Sequence, residues 1–263
     1  MRRLLLTTTL LLSAFIASHA HAQGFAALVS PPRFEIGGKP GATVRQVVEI
    51  TNRSGSPSRY RVHTADFLLD ANYGVTFHDE LMPDSCRRWV AIERPVAELP
   101  AGGTIRYRFE VQVPSDAPAG ECRFALMVEA DEPSLASAGT MRLPIVGRIA
   151  VIVYVTVGDA APQIEVFGPE VVTYNGQRVP AVRVHNAGNA HTRMGGFLTG
   201  KDASGRKFDF TPSDLPILPG EVRAVLLTPS TADDQNPTLD FPVTVQGTLE
   251  WANQSTPLDE RFK

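Results

Sequence analysis

The residues of this chain that could do covalent or metal chemistry are few, and their spacing offers little of it. Beyond residue 22 the histidines are His63, His78, His185 and His191, with no Cys/His cluster and no His-x-His pair on one strand face. His185 and His191 flank an Asn/Gly turn. Two such ligands need others that the sequence does not bring beside them, so zinc or copper is not expected. Asp66, Asp70, Asp79 and Glu80 lack the ligand pattern of a calcium loop. There is no Gly-x-Ser-x-Gly elbow and no phosphate-binding loop. Glycoside hydrolysis needs two carboxylates across a cleft, and nothing here frames them. The chain therefore reads as a non-enzyme, with no metal and no cofactor.

Cys86 and Cys122 are the only cysteines. Neither belongs to a Cys-x-x-Cys motif or stands beside a histidine, which argues against a redox role. Their fate depends on compartment, and the first 22 residues speak to that. Arg2 and Arg3 precede an apolar run from Leu4 to Ile16, and Ala20-His21-Ala22 supplies a small-x-small cleavage signal before Gln23. This is the pattern of a secretory signal peptide over residues 1–22. Its apolar core is too short to span a bilayer, and no later stretch reaches the roughly 18 apolar residues a transmembrane helix needs. The expected mature protein is exported and soluble. Export puts the cysteines where disulfides persist, and two cysteines allow one internal pairing, Cys86 with Cys122; two separate thiols are the alternative.

With Arg2 and Arg3 set aside, 23 basic residues face 28 acidic ones, a formal charge of −5. Cations and anions are interspersed, with no basic stripe or aromatic platform, so nucleic acid is not an expected partner. Short alternating runs recur between Gly, Pro, Asn, Asp and Ser punctuation, and no helical period holds over eleven residues. The expected fold is all-β. The first series comprises residues 25–36, 44–52, 59–69, 74–78, 88–93, 105–113, 122–130 and 141–157. Gly158-Asp159-Ala160-Ala161-Pro162 then breaks the pattern. A second series follows over 164–174, 179–186, 196–201, 207–210, 222–228, 243–251 and 258–262. Each series has the strand count of an immunoglobulin-like sandwich, which predicts two such domains in tandem, 23–158 and 163–263.

The two series echo each other. Asn52 closes one alternating run before Arg53-Ser54-Gly55, and Asn186 closes another before Ala187-Gly188-Asn189. Leu99-Pro100-Ala101-Gly102-Gly103 and Leu218-Pro219-Gly220-Glu221 each precede a strand. Asn and Gly close tight turns, so these are corners and carry no chemistry.

Residues 141–157 are the most apolar and β-branched stretch downstream of the leader, and they follow a soft Ala/Ser/Gly loop. The reading is one long strand at a sheet edge, with Met141, Leu143 and Ile145 alternating ahead of the cation Arg148. An edge strand with unpaired backbone groups is a template for a partner strand.

With Val29-Ser30-Pro31-Pro32-Arg33-Phe34 at the start, a flexible loop, and a cation in the last strand of the first domain, the chain resembles the periplasmic pilus-assembly chaperones. It would be a divergent relative: the last-strand cation is Arg148 rather than the family's usual Lys, and Pro144 interrupts the alternating run. The resemblance implies two immunoglobulin-like domains set in an L, a periplasmic location, and a pilin-like or other exported subunit as protein partner. It implies that Arg33 and Arg148 anchor the subunit's terminal carboxylate.

The chemistry of such capture can be stated plainly. A pilin-like subunit lacking its last strand exposes an apolar groove and unpaired edges. Main-chain bonds along 141–147 would hold it regardless of sequence, while Met141, Leu143 and Ile145 fill successive pockets. Guanidinium groups bind a carboxylate through parallel charge-assisted bonds and fix register. Pro144 is tolerable on an edge and blunts self-association, the route by which two copies would pair through this strand. The competing reading is an exported structural or adhesive module whose apolar strand is internal. The segment from Asp131 to Gly139 separates the two, since capture requires it to be mobile.

Overall fold

The computed structural model describes residues 25–70, 74–138, 141–234 and 237–263, so the leader lies outside the described residues. Among them there is no α-helix, and no helix is long and apolar enough to cross a membrane. The chain forms two β-sandwiches in tandem.

In the first sandwich, β1 (Ala27–Ser30) pairs antiparallel with β3 (Thr43–Asn52). Pro31 and Pro32 carry no backbone N–H, so the ladder stops there, and β2 (Arg33–Gly38) continues in the opposite sheet. That sheet also holds β4 (Ser58–Leu69), β5 (Val75–His78), β7 (Val96–Leu99), β9 (Gly120–Ala130) and β12 (Arg148–Val157). The facing sheet adds β6 (Val90–Ile92) and β8 (Thr104–Gln112) in the order β1-β3-β8-β6. Strand alternation sends Phe124, Leu126 and Val128 of β9, with Val151, Val153 and Val155 of β12, into the core between the sheets, where all six are fully buried.

Cys86, just before a single 3-10 turn at Arg87–Trp89, is joined to Cys122 on β9 by a disulfide with Cα atoms 5.5 Å apart. It closes a loop over a separation of 36 residues, worth about 4 kcal/mol in the chain-entropy account.

The stretch 141–157 is not the single long edge strand read from its composition. Val146 and Gly147 divide it into β11 (Met141–Ile145) and β12. The preceding residues, read as a loop, form β10 (Ser134–Ala138), which pairs antiparallel with β11 in a two-stranded ribbon outside both sheets. Nor is β12 an edge along its whole length. Ile152–Val157 run parallel to β2, whereas Arg148–Val151 pair with β9 alone among the described strand pairings. Gly147 still accepts from Ala130 N at 3.0 Å, and Phe25 packs against it so closely that a Cβ would lie 2.0 Å from the ring, so only glycine fits there.

The second sandwich contains β13 (Ile164–Tyr174), β14 (Gln177–Asn186), β15 (Gly195–Lys201), β16 (Lys207–Pro212), β17 (Val222–Ser230), β18 (Val243–Trp251) and β19 (Gln254–Phe262). They follow one path, β13-β14-β17-β16-β15-β18-β19, in which β17 pairs with β14 through its first half and with β16 through its second. Buried Val182, Val184, Phe210, Leu227, Val245 and Leu249 fill its core.

The repeated corners are built alike. Asn52 is fully buried and donates from Nδ2 to Ser56 O at 2.7 Å and Pro100 O at 3.0 Å, while Oδ1 accepts from Ser54 N at 2.9 Å. Asn186, equally buried, donates to Ala190 O at 2.8 Å and Ile217 O at 3.0 Å, while Oδ1 accepts from Gly188 N at 3.0 Å. Each side chain thus ties a strand end to a Leu-Pro turn more than thirty residues away.

Candidate functional site

The face of the β2-β12-β9-β4 sheet turned away from the first core is where the two sandwiches meet. Register places its residues in lines across the strands, because directly opposed residues share a face. One line joins Arg148, Glu129 and Arg61; the next joins Ala150, Met127 and His63; the third joins Arg33, Ile152, Ala125 and Ala65. The fourth holds Glu35, Tyr154 and Arg123. Both ends of this face are charged and its middle is apolar. Ala65, Phe67, Ala125, Met127 and Tyr154 form a separate buried cluster, against which Leu218 of the second sandwich packs.

At the junction end, Arg33 Nε lies 3.0 Å from Glu35 Oε1, and both side chains are exposed. Glu35 Oε1 is 3.8 Å from Nε2 of His191, which comes from the second sandwich. The His191 ring stacks on Tyr154 with centroids 3.8 Å apart, and its Nδ1 meets Glu121 Oε2 at 2.6 Å. The backbone N–H of His191 donates to the same oxygen at 3.2 Å, and Asn189 Nδ2 donates to Ala119 O at 3.3 Å. One short loop after the Asn186 corner therefore supplies most of the polar contacts between the sandwiches.

Arg193 leaves the same loop and donates from Nη1 to Asp214 O. Burial, then the like charge of Arg33, holds its pKa below the usual guanidinium range. Burial pushes the Tyr154 hydroxyl up to about 12, although Arg193 pulls in the opposite direction. Arg123 Nη1 meets Asp84 Oδ2 at 2.5 Å, and its guanidinium lies 5.7 Å from the Phe67 ring centroid.

At the other end, the Arg148 guanidinium sits 5.8 Å from the Phe77 ring centroid, on the side away from β2. It borders a groove of about 600 Å³ that Arg61, His63, Asp79, Arg87 and Glu129 also line. Arg87 is committed there, donating to Thr64 O at 2.6 Å and Asp79 O at 2.7 Å and lying 3.6 Å from Asp66.

Arg33 and Arg148 thus share one face but not one spot. Arg33 opposes Ile152, four residues along β12 from Arg148, a rise of about 13 Å. The side chains of Met141 and Leu143 lie outside the described residues, whereas Ile145 is 48% exposed. His185 and His191 do not share a site: His185 Nδ1 pairs with Glu165 at 3.1 Å, away from the Glu121 partner of His191. Among the described residues no group of three or more His, Cys, Asp or Glu side chains is placed to hold a metal. Tyr154, Glu121, Arg123 and Arg193 went unnoticed in the sequence. Spacing sets His191 only beside His185, and its carboxylate partner lies 70 residues away, beyond any spacing rule.

What the arrangement can do follows from the edge. The Ile152 N–H donates to Pro32 O at 3.1 Å, so Ile152 points toward β2. Successive amides of a strand alternate, which turns the N–H groups of Ala150 and Arg148 to the same side, where β2 has not yet begun. A strand added there would run toward Arg33 and stop, because β2 occupies the edge beyond.

No protein-family model matches the sequence, and no curated protein matches it. In three dimensions the chain is similar to the class 5 fimbriae chaperone CfaA, with a TM-score of 0.50 and 14% identity, covering 89% of this chain and 98% of that one. The YadV chaperone aligns with a TM-score of 0.48 and 12% identity over 89% of this chain and 98% of that one. The E. coli chaperone DraB gives 0.48 and 12% over 92% and 98%. At such identity the likeness to CfaA is one of fold: two β-sandwiches in tandem over nearly the whole of both chains.

Proposed function

We propose that this chain is an exported assembly chaperone that captures the terminal strand of a pilin-like subunit along the open half of β12. The single observation that carries the reading is an edge that ends at a cation. Arg148–Val151 lack a second described strand partner, and β2 closes the edge at Arg33. A strand from the middle of a chain would collide with β2, whereas a chain terminus fits, and its carboxylate would arrive beside the Arg33 guanidinium. Ile145 and Val146, 48% and 52% exposed, extend the apolar surface away from the junction toward β11. Met141, Leu143 and Ile145 of β11 would then meet successive apolar residues of the subunit, and Arg148 would fix its register farther along. The fold shared with the fimbrial chaperone CfaA supports the same reading.

In this reading residues 1–22 direct export to the periplasm, and 23–158 and 163–263 are the two domains around the linker Asp159 to Pro162. The partner is a protein, engaged through main-chain bonds and one carboxylate, with no chemistry performed upon it.

The test is binding of a synthetic peptide with alternating apolar residues, offered with a free terminal carboxylate and as the amide. A bidentate charge-assisted pair is worth about 1.5–3 kcal/mol, so the acid should bind at least about tenfold tighter than the amide. Arg33→Gln should erase that difference without changing the melting temperature. Equal binding of acid and amide would place the terminus elsewhere, and no binding at all would favour the structural or adhesive module.

A further inference from the structure

We propose that Arg148 selects subunits carrying an acidic side chain three residues before the terminal one. The proposal rests on the strand-capture reading and goes beyond it to the sequence of the partner. Its basis is the line of opposed residues Arg61, Glu129 and Arg148 on β4, β9 and β12. Charge alternates across these strands, plus, minus, plus, and the next place in the line falls on the captured strand. Opposite charges directly across adjacent strands stabilise a sheet, and like charges destabilise it. Glu129 is the one carboxylate in this line, set by register between two arginines. Arg148 leans over Phe77 on the side of β12 away from the open edge, so pairing with the captured strand requires its guanidinium to leave that ring and swing across the strand. The remaining charged groups facing the groove do not cancel it, since Asp79 and Arg87 offset each other and His63 adds no negative charge.

Register gives the position. The captured strand runs parallel to β12 and ends opposite Val151, because β2 holds the edge from Ile152 onward. Its last residue opposes Val151 and the one two before opposes Ile149, both on the core-facing side of the sheet, where apolar side chains are required. The residue between opposes Ala150. The residue before these three opposes Arg148, on the face that carries the cations. The partner's terminus should thus read acidic, apolar, any residue, apolar, carboxylate. A charge one place to either side would enter the apolar core side and be desolvated.

The experiment is fluorescence anisotropy on the full mature chain. It uses free-carboxylate peptides of one alternating apolar frame, in which a single Glu, Gln or Lys is walked along the last six positions. Glu should bind about threefold tighter than Gln three residues before the last, and nowhere else. Arg148→Gln should remove that preference, and Arg148→Glu should invert it in favour of Lys. Arg148 is exposed, so both variants should fold. Arg33→Gln should weaken every peptide alike and leave the preference intact. If the peptides bind but Glu and Gln are equal at that position, or Arg148→Glu leaves the preference unchanged, the proposal is overturned while strand capture stands. If no free-carboxylate peptide binds wild-type protein, strand capture fails and the proposal falls with it.

Discussion

The Asn52 and Asn186 corners use the same buried amide to tie a strand end to a distant turn, yet they serve different ends. The Asn52 corner opens on solvent at Gly55, where an added Cβ would meet nothing within 4 Å. The Asn186 corner opens on the linker, and a Cβ at Gly188 would lie 2.3 Å from Ala161 O and 2.5 Å from Gln163 N. Its next residues carry Asn189 and His191 onto the first sandwich. The same device is an internal brace in one domain and the hinge plate of the junction in the other. A motif that repeats in sequence therefore need not repeat in role: what differs is what the chain places against it.

The strongest challenge to the comparison removes the shared part. Asn52→Ala and Asn186→Ala each strand several buried carbonyl and amide groups, and each should cost about 3–5 kcal/mol in thermal unfolding. A loss confined to one of them would show that the corners are not equivalent braces. Reducing Cys86–Cys122 comes next. It should destabilise the first sandwich by about 4 kcal/mol and leave the second, which has no cysteine, unchanged. The third contrast isolates the hinge: Gly188→Ala should cost about 2 kcal/mol through overpacking against the linker, whereas Gly55→Ala should stay within about 0.5 kcal/mol. Equal effects would remove the distinction between brace and hinge.

The mildest expected effect is alkaline. Tyr154 at the junction is raised to about 12, so between the ordinary tyrosine pKa near 10 and that value the folded state keeps a proton that the unfolded state has lost. Stability is whole below pH 10 and falls by about 2 kcal/mol as pH approaches 12. Tyr60 and Tyr107 are raised by burial too and add their own losses, so the measurement is the difference between wild type and Tyr154→Phe. Stability curves of identical slope would show that Tyr154 is not held neutral in the junction.

Much of this architecture was legible in the sequence because it is local. Alternation in runs such as Val44 to Asn52 and the Gly158 to Pro162 break depend on near neighbours, and the repeated Asn and Leu-Pro signals announced two similar sandwiches. The stretch 141–157 misled for a physical reason. Composition reports that a segment favours β structure but not which strand pairs with it, and the need for glycine at 147 comes from Phe25, which packs against it from more than a hundred residues away. Arg33 and Arg148 could be found as cations in the first and last runs of the first series, although Pro31 and Pro32 divide the first run and put Arg33 on β2. That β2 stops the edge at Arg33 could not, since register between strands far apart in sequence leaves no mark in either one. The junction was invisible for the same reason: His191, Glu121 and Tyr154 come from three distant segments.

The central claim, that partners are captured along the open half of β12, is tested most directly by amide hydrogen exchange with and without a bound free-carboxylate peptide. The N–H groups of Arg148 and Ala150 point to the open edge and should exchange quickly in the free protein. Those of Val151 and Val153 point to β9 and should already be protected. Binding should slow Arg148 and Ala150 by at least about tenfold and leave Val153 unchanged. Saturating peptide that leaves Arg148 and Ala150 exchanging at their free rates would contradict the account.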